Sequence, residues 1–536
     1  MNLVIVHYHL RPGGIRRVIE LATPHLVRQF DGAIETVVLA CGEANDPKWN
    51  ACFQERLAGT PVEFAVEPAF NYLSEQSGSA HAVSQLIRAA FARIFAAASV
   101  KNCLVWAHNL GIGRNLLLTR ELTRVCARQG IPLVAHHHDW WFDNRWPRWL
   151  EMRRAGFRTL RAAAGTIFPP ASEVRHVAIN QADADILRRH LAKRAGWLPN
   201  LTEPAPESPA KRARAAKNWL DRKLADDAPV WLLPCRLLRR KNIAEALLLT
   251  RWLRPEAWLV TTGGVSSAHE QAYANQLAAA VAQHGWQLRL GVLQGNQQDN
   301  PEVNDLLAVS EAVLLTSIQE GFGLAALEAA AARRPLITRS LANVAPDLRR
   351  FGFRFPQCYA ELLIDPGLFD WPTELRQQQK LFRKWKNRLP GVCRPWAGEP
   401  VLLAARSTAR PVPFSRLSLA AQLEVLAQPL ERSWDLCARL NPFLPTWKRR
   451  AAAGRLQITP WPRSAGRWLN GCSYARRFEQ IVRATPQTAP PSDSGIAAQE
   501  EFIRTRLGSE HLFPLLWPQV DNETSRSHFR HLQHTA

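Results

Sequence analysis

The sequence lacks the features that mark a membrane protein or a disulfide-bonded one. Its nine cysteines are scattered, odd in number and never arranged as CxxC, so they support neither a disulfide framework nor a zinc site. No apolar run is long enough to span a bilayer. The opening MNLVIVHYH has no basic n-region and no small-residue cleavage site. It predicts a first strand rather than a signal peptide, and reduced thiols in a cytoplasmic protein are expected.

Acidic residues are few relative to basic ones. The 536 residues include 68 Lys and Arg against 46 Asp and Glu, which gives a net charge of +22. Such a field favours anionic partners: nucleotides, phosphorylated lipids, acidic polysaccharide, nucleic acid or an anionic membrane surface. An arginine-rich proteome is the plain alternative, because Arg heavily outnumbers Lys. Charge alone therefore does not choose the partner.

The order of predicted elements is that of an α/β protein. Apolar strand-like segments alternate with helical ones in the first part of the chain. The alternation restarts after residues 198–218, a stretch rich in proline, alanine and charge. This pattern predicts two doubly wound, Rossmann-like domains with parallel sheets that face each other across a cleft. Ligands of such sheets bind at the carboxyl ends of the strands.

The most informative stretch is SIQEGFGLAALEAAAARRPLITRS, residues 317–340. Gly321 and Gly323 stand between a predicted strand and a predicted helix, where bare backbone N–H groups form a ready phosphate site. A carboxylate there would repel phosphate, so Glu320 is better placed to accept hydrogen bonds from neutral hydroxyls beside it. Glu328 lies more than a turn further along the helix and would take other hydroxyls. One carboxylate on a sugar and one on a ribose would grip both ends of a nucleotide-sugar.

Cations for such a ligand lie at the start of the same half of the chain. The predicted strand VWLLPCR continues into LLRRKN, which spaces Arg236 and Lys241 five apart across a strand–loop–helix turn. A guanidinium can bridge two phosphate oxygens, and an ammonium can act as a point charge on the other phosphate. Together they would stabilise a departing nucleoside diphosphate without a metal. Arg239 and Arg240 lie beside them and could equally be solvated.

These segments resemble the donor-binding motifs of the retaining nucleotide-sugar glycosyltransferase family 4, which has the GT-B fold. The resemblance covers roughly residues 1–430. It includes PGGIRRVIEL (12–21), AHN (107–109), VAHHHD (134–139) and LPN (198–200). It implies a metal-independent transfer, without a cofactor, in which the acceptor hydroxyl attacks on the face that the diphosphate leaves.

The resemblance also implies roles for the residues that match the motifs. Arg236 and Lys241 would hold the diphosphate, Glu320 would contact the donor sugar and Glu328 the ribose. The other donor-side candidates, two glycines after the first strand and the backbone of the helix mouth, are Gly13, Gly14, Gly321, Phe322, Gly323 and Leu324. Glycines at 13 and 14 let the loop approach its ligands closely, although a simple turn is the alternative. The catalytic candidates are His138, Glu320, Arg236 and Lys241.

Acceptor-side candidates follow the strands that end at AHN and VAHHHD. His108 and Asn109 would face the cleft, although a structural histidine is at least as good an interpretation. Asp139, Trp140 and Trp141 open the stretch DWWFDNRW and predict an acceptor loop, because Trp faces stack on sugars and Asp accepts their hydrogen bonds. A metal at the consecutive histidines is disfavoured, since neighbouring residues of a strand point to opposite faces.

The last part of the sequence is basic and tryptophan-rich. Arginines and lysines dominate residues 371–416 and 439–483, interleaved with Trp385, Trp396, Trp447, Trp461 and Trp468. A solvated face is the first explanation, and a peripheral contact with an anionic membrane, with tryptophans at headgroup level, is the second. Nucleic-acid binding comes last, because no recognisable module is present. Residues 417–445 are expected to cross back to the first domain, and residues 484–499 to form a flexible loop.

The sequence therefore predicts a cytoplasmic retaining hexosyltransferase that uses a nucleotide-diphosphate sugar and a glycan, lipid-linked or small-molecule acceptor. The expected domains are residues 1–200 on the acceptor side, 201–430 on the donor side, and a basic extension over 431–536. A rival within enzymes transfers to a small phosphorylated acceptor. A rival from another class is a polyanion- or membrane-binding protein with a non-catalytic cleft.

Overall fold

The computed structural model describes residues 1–517 apart from 58, 98–101, 203, 205–207, 266, 296–298, 406–409, 485–490 and 492. The described residues contain two parallel sheets, one of seven strands and one of six, with helices packed on them. Each sheet forms from short, buried runs of Val, Leu, Ile and Trp, which suit strands covered on both faces. The predicted GT-B architecture of two Rossmann-like domains is confirmed.

The N-terminal sheet has the strand order β3-β2-β1-β4-β5-β6-β7, and every pair in it is parallel. The order reverses between β1 and β4, so the carboxyl ends of these two strands open the crevice where ligands bind. Its strands are β1 (Asn2–Val6), β2 (Thr36–Cys41), β3 (Val62–Val66), β4 (Cys103–His108), β5 (Leu133–His137), β6 (Val174–Ala178) and β7 (Ala195–Trp197). Its helices are α1 (Gly14–Gln29), α2 (Pro47–Glu55), α3 (Ala80–Ala97), α4 (Leu116–Gln129), α5 (Pro147–Arg154), α6 (Leu160–Ile167) and α7 (Gln181–Leu191).

The second sheet has the order β10-β9-β8-β11-β12-β13 and is likewise parallel. Its order reverses between β8 and β11, which brings the two donor motifs to neighbouring strand ends. Its strands are β8 (Val230–Leu233), β9 (Trp258–Thr261), β10 (Leu288–Arg289), β11 (Ala312–Leu315), β12 (Leu336–Arg339) and β13 (Gln357–Tyr359). The helices among them are α8 (Ala210–Leu224), α9 (Ile243–Leu253), α10 (Ala268–His284), α11 (Val303–Val309), α12 (Leu324–Ala331) and α13 (Ala345–Phe351).

The chain after β13 is mostly helical. A small antiparallel pair, β14 (Leu363–Ile364) with β15 (Val412–Pro413), follows the second sheet. The helices are α14 (Trp371–Arg388), α15 (Val401–Ala404), α16 (Leu419–Ala427), α17 (Leu430–Ala438), α18 (Leu444–Ala452), α19 (Gly466–Leu469), α20 (Gly471–Arg483) and α21 (Ser494–Arg506). Among the described helices, none combines the length and apolarity needed to cross a bilayer.

The helices α20 and α21 return to the N-terminal sheet. Tyr474 and Phe478 of α20 pack against Trp106 of β4, and α21 packs on α6 and α7. The guanidinium of Arg506 donates to Asp143 at 2.8 Å and to Asp183 at 2.6 Å. The expectation that residues 417–445 make this return is wrong, because α16 and α17 pack on α9 of the second domain.

The segment after α21 then crosses to the second domain. Arg416 donates to the carbonyl oxygens of Glu510 at 2.8 Å and Leu512 at 3.0 Å. Arg239 donates to the carbonyl of Trp517 at 2.9 Å. Residues 494–517, named here the clasp, therefore contact both domains.

One expectation for the C-terminal part is wrong. The flexible loop over 484–499 is contradicted from Ser494 onward, where α21 begins; residues 485–490 and 492 lie outside the described part. Trp385 and Trp447 are core residues and cannot sit at headgroup level, while a peripheral membrane contact of the basic surface stays a prediction. Trp396 and Trp468 lie half-buried under arginine side chains, because stacked cations cover the ring faces. Arg406 of the basic run falls among the undescribed residues.

Candidate active site

The loop after β11 holds Glu320 in a cluster of ion pairs. Its carboxylate pairs with the ammonium of Lys241, accepts from Arg240 at 2.9 Å and accepts from the Ser317 hydroxyl at 2.7 Å. Burial works to raise the pKa of Glu320, but the charges on Lys241 and Arg240 hold it near about 2. Glu320 is therefore ionised at neutral pH. The structure joins the two sequence motifs at this carboxylate.

The loop after β8 presents the cations to the cleft. Residues Arg239–Lys241 form one 3-10 turn, and Asn242 in the left-handed region starts α9. Thr316 ties this turn to the end of β11, since its hydroxyl donates to the carbonyls of Lys241 and Asn242. Arg236 is exposed, and within the described residues it makes no hydrogen bond or ion pair. The pKa of its guanidinium is lowered, first by partial desolvation of the group and then by the charge on Arg240. It is the cation left open for an anionic ligand.

Glycines at the mouth of α12 are required by close packing. A Cβ on Gly321 would lie 3.0 Å from the carbonyl oxygen of His138, and one on Gly323 would lie 2.8 Å from Val344. Gly323 also has a φ of 81°, which L side chains rarely adopt. Phe322 points into the core, so only its backbone and that of Leu324 lie at the helix mouth.

Glu328 lies inside α12 and is electrostatically different from Glu320. Burial raises its pKa to about 7, while Arg17 of α1 and Lys241 oppose this rise only in part. Arg17 lies in the first turn of α1, which begins at Gly14, so this helix contributes positive charge to the surroundings of Glu328. Gly14 has open space around its Cα, so the glycine loop leaves room for a ligand.

The two domains meet at the donor loop. Asn180 donates to the carbonyl of Gly321 at 3.2 Å, and Asn144 donates to Gln319 at 3.3 Å. Gln181 donates to Asp347 through its backbone and its side chain, at 3.0 and 2.8 Å. The donor loop therefore lies directly over the carboxyl edge of the N-terminal sheet.

That edge is lined by neutral imidazoles. The Nδ1 of His108 lies 3.1 Å from the Nε2 of His138, and His138 is half-buried at the cleft. Burial lowers the pKa of His138 to about 3 against the opposing charge of Asp139. Asn109, in the left-handed region, accepts hydrogen bonds from the backbone N–H groups of His138 and Asp139 at 2.8 and 3.1 Å. His108 and Asn109 thus position His138 rather than line the open cleft.

The predicted acceptor loop is only partly exposed. Trp140 and Trp141 are fully buried, and their indole N–H groups donate to Asp183 at 2.9 Å and to Gln499 at 3.4 Å. Their expected role as sugar-stacking platforms is wrong, because both rings pack in the core of the N-terminal domain. Asp139 stays accessible and pairs with Arg145 at 3.1 Å. Burial works to raise its pKa, but Arg145 and Arg240 hold it near about 2.

Three histidines come close together at this edge. His136 and His138 share a face of the chain, as alternation predicts, and His108 joins them from the neighbouring strand; their nearest ring nitrogens all lie within 4.8 Å of one another. His136 already contacts the carbonyl of Leu198 at 3.2 Å and lies 3.5 Å from the Tyr474 hydroxyl. Both ring nitrogens of His136 therefore have protein neighbours, while the Nε2 of His108 is buried without a hydrogen-bond partner among the described residues. The absence of a metal stays a prediction.

A cavity of about 220 Å³ adjoins the donor loop. It lies between the ends of β11 and β12 and helix α13, and its mostly apolar walls include Glu320, Gly323, Arg349 and Phe353. Arg236, Lys241 and Glu328 do not line it. The cavity is therefore a neighbour of the motif cluster rather than the cluster itself.

Comparison with known proteins identifies the second domain. Residues 218–353 match the family model for glycosyl transferases group 1. This stretch is similar to the group 1 glycosyl transferases. It contains Arg236, Lys241, Glu320 and Glu328, so the likeness to glycosyltransferases is confirmed at this level, while membership of family 4 stays a prediction.

Individual relatives of this glycosyltransferase are distant. A mannosylglucosyl-3-phosphoglycerate synthase from Petrotoga mobilis is 22% identical over 410 residues, 73% of each chain. HepE from Anabaena, solved with UDP-glucose, is 17% identical with a TM-score of 0.44, over 65% of this chain and 82% of that one. A glycosyltransferase from Rickettsia africae is 12% identical with a TM-score of 0.47, over 90% of this chain and 97% of that one. Because the TM-scores are below 0.5, the roles of the site residues are argued from the geometry of this chain and not from these structures.

Three residues near the site were not found from the sequence. Tyr72 and Arg114 follow elements with no motif, and Arg17 was quoted only inside the glycine-loop segment. Arg240, left open as a solvated residue, is instead a partner of Glu320.

Proposed function

We propose that this protein is a retaining, metal-independent hexosyltransferase that moves a sugar from a nucleoside diphosphate to an acceptor hydroxyl. The observation that carries the proposal is the meeting of Arg236, Lys241 and Glu320 at neighbouring strand ends, over the mouth of α12. Without a donor, Lys241 and Glu320 neutralise each other. A diphosphate would draw Lys241 away and leave the Glu320 carboxylate free for sugar hydroxyls.

The charges suit a nucleotide-sugar. Arg236, open to the cleft, would chelate phosphate oxygens, and the N–H groups at the mouth of α12 would add their dipoles. Glu320, ionised with a pKa near about 2, would accept hydrogen bonds from sugar hydroxyls. Glu328 would take the ribose diol, and its pKa near about 7 makes that contact sensitive to pH. The accumulated cations supply the charge compensation that a divalent metal provides in other transferases.

His138 is suited to a role beside the transferred sugar. Its Nε2 is occupied by His108 at 3.1 Å, which leaves its Nδ1 for a ligand. Because burial keeps the imidazole neutral, it can exchange a hydrogen bond with a sugar hydroxyl without adding charge. The acceptor hydroxyl would then attack on the face from which the diphosphate departs, with its proton passing to the departing phosphate oxygen.

The first test is a stability screen of the purified protein against UDP, GDP, ADP and their sugar conjugates. A ligand at 100 times its Kd adds about 2.7 kcal/mol to the folded state. Stabilisation by one nucleotide, lost in both Lys241→Ala and Glu328→Ala, is expected. No shift with any nucleotide for a folded protein would favour the polyanion- or membrane-binding alternative, which binding to anionic liposomes or nucleic acid would then examine.

The second test addresses mechanism. With the donor known, proton NMR of the first product formed should show the same anomeric configuration as in the donor sugar. The rate should be unchanged by EDTA. An inverted product would exclude retention, and loss of activity with EDTA that Mg²⁺ or Mn²⁺ restores would exclude metal independence.

A further inference from the structure

A cluster of aromatic and cationic side chains, named here the pocket, lies in the N-terminal domain outside the sequence motifs. Its centre is Tyr72, whose hydroxyl lies 2.9 Å from the Nε2 of His9. The ring of Tyr72 packs against Tyr8 and His9, with centroids 5.4 and 5.1 Å apart. The guanidinium of Arg114 stacks on the same ring at 4.6 Å. His9 follows β1 and Arg114 follows β4, at the crevice of the N-terminal sheet, and Tyr72 lies in the loop after β3.

Arg114 is held in place without a carboxylate. Its carbonyl accepts from the N–H of Leu73 at 3.0 Å, and the next residue, Asn115, caps α4 through Leu118 at 3.0 Å. Its Nε is buried and has no hydrogen-bond partner, and among the described residues no acidic side chain lies within ion-pair distance of it. A buried donor left unsatisfied in this way destabilises the protein. A ligand that supplies an anion would recover that cost.

The nearby carboxylates are already taken. Arg11 donates to both oxygens of Glu43, at 2.8 and 2.7 Å, and lies 3.6 Å from Glu75. Arg148 is buried and donates to the carbonyl of Ile112 at 2.6 Å. Burial and the charges on Arg145 and Arg114 lower its pKa. Positive charge is therefore in excess around Arg114.

The pKa of His9 is affected by charges from both domains. Burial lowers the pKa of His9 to about 4, and Arg11, Arg114 and Arg236 add to the effect against Glu43. Arg236 comes from the other domain, and Tyr72 and Asp139 both act on its pKa. The Nδ1 of His9 is a second buried ring or guanidinium nitrogen here with no partner. The charge of Arg236, the cation assigned to the donor diphosphate, is therefore felt at His9 of the pocket.

We propose that the pocket of His9, Tyr72 and Arg114 binds an anionic group on the acceptor. The inference rests on the proposed function, since Arg236 and Lys241 are occupied by the donor and leave Arg114 for the second substrate. The acceptor is then a small sugar or polyol bearing a phosphate monoester or a carboxylate, not a neutral glycan end. The anion sits on Arg114 and places a hydroxyl toward His138 and the donor sugar.

The test separates this pocket from the donor site. Calorimetric titrations without donor use glucose, glucose 6-phosphate, glucuronate and 3-phosphoglycerate on the wild type, Arg114→Gln, Arg114→Lys and Arg251→Gln. Arg251 is the matched control, because it also stacks on an aromatic ring, Trp286, at 5.5 Å, and is not in any described carboxylate pair. A parallel stability screen with the donor nucleotide checks that each variant folds and keeps its donor site.

At least one anionic compound is expected to bind the wild type at least tenfold more tightly than glucose. Arg114→Gln should lose that preference, Arg114→Lys should keep part of it, and Arg251→Gln should keep it all. Nucleotide stabilisation should be equal in all four proteins. If only glucuronate binds, the anionic group of the acceptor is a carboxylate. If only the phosphorylated compounds bind, it is a phosphate.

Two results would overturn the proposal: no anionic compound binding the wild type better than glucose, or Arg114→Gln binding it as the wild type does. A failure of the nucleotide screen is a different result. It would remove the proposed transferase, while the titrations would still decide whether Arg114 holds an anion.

Discussion

The carboxyl edges of the two sheets face each other across the cleft but are built from different chemistry. The N-terminal edge presents imidazoles that burial keeps neutral, among them His108 and His138. The C-terminal edge presents the compact ion cluster of Glu320, Lys241 and Arg240. The N-terminal edge can therefore form hydrogen bonds without contributing charge. At the C-terminal edge, a bound diphosphate can replace Glu320 as the anionic partner of the cations. A transferase needs both, because the leaving group is strongly charged and the transferred sugar is not.

The largest effect should come from breaking the charged edge. Lys241→Ala removes the ammonium that would neutralise the departing diphosphate, and we expect kcat/KM to fall by about 10²- to 10³-fold, as for loss of one preorganised donor. Steady-state nucleotide release measures it. Lys217→Ala, which removes a surface pair with Asp221, is the control and should leave the rate unchanged. A normal rate in Lys241→Ala would remove the ion cluster from the mechanism.

The neutral edge should respond in stability rather than in charge. Trp140→Phe deletes the buried indole N–H that donates to Asp183 at 2.9 Å, and we expect a loss of about 1–3 kcal/mol in denaturant unfolding. Trp258→Phe is matched, because that indole also donates to an aspartate, Asp226, at 2.8 Å, but at the surface. Equal losses in both variants would mean that burial of the N-terminal edge adds nothing.

The charged edge and the buried tryptophans differ in how far the sequence could predict them. The pairing of Glu320 and Glu328 with Arg236 and Lys241 could be predicted, because both segments are local in sequence and follow strands of one parallel sheet. The burial of Trp140 and Trp141 was not, since adjacent tryptophans suit a core as well as a sugar platform. What covers them is α21, where Gln499 reaches Trp141 from 358 residues away in sequence. No local pattern predicts a contact of that range.

The same limit applies to individual elements. The strand β10 is only two residues long, and the chain turns soon after it at Gly291, which has a φ of 61°. The edge strands β3 and β7 are short, and edge strands with few residues carry little sequence signal. The proposed acceptor pocket combines Tyr72 and Arg114 from separate loops, so only the folded chain brings them together.

A pH series sharpens the contrast between the edges. The pKa of Glu328 is raised by burial from 4.5 to about 7, so its carboxylate is increasingly protonated below that value. Donor affinity should therefore rise with pH through about 7, by up to about tenfold per pH unit on the acid side. The imidazoles, neutral throughout, should add no inflection. Calorimetric Kd values for the nucleotide, measured from about pH 5.5 to about pH 8.5, test this dependence.

The matched variant is Glu328→Gln, which should bind weakly with no inflection near neutrality. The stability of the free protein should move the other way: a raised carboxyl pKa stabilises the fold below the ordinary value, and that contribution is lost as pH rises toward about 7. An inflection that persists in Glu328→Gln would assign it to another group.

The smallest effect should come from the basic surface. Lys448 lies 4.0 Å from the ring of Trp434, and Lys448→Ala should cost about 0.5–1 kcal/mol in unfolding with no change in nucleotide binding. Thermal unfolding with and without the nucleotide measures both quantities. A change in nucleotide affinity would connect this face to the cleft and weaken the contrast between a working edge and a solvated surface.

The return of α20 and the clasp to the first sheet has a consequence for exchanging parts between related enzymes. The N-terminal unit is discontinuous, because its hydrophobic face is completed by Tyr474 and Phe478 and its Asp143–Asp183 pair by Arg506. A graft that replaces residues 1–200 alone would set a foreign surface against these side chains. A chimera that keeps residues 466–506 with their own sheet keeps the physical unit whole. The segment that is continuous in sequence and the unit that packs together therefore have different boundaries in this chain.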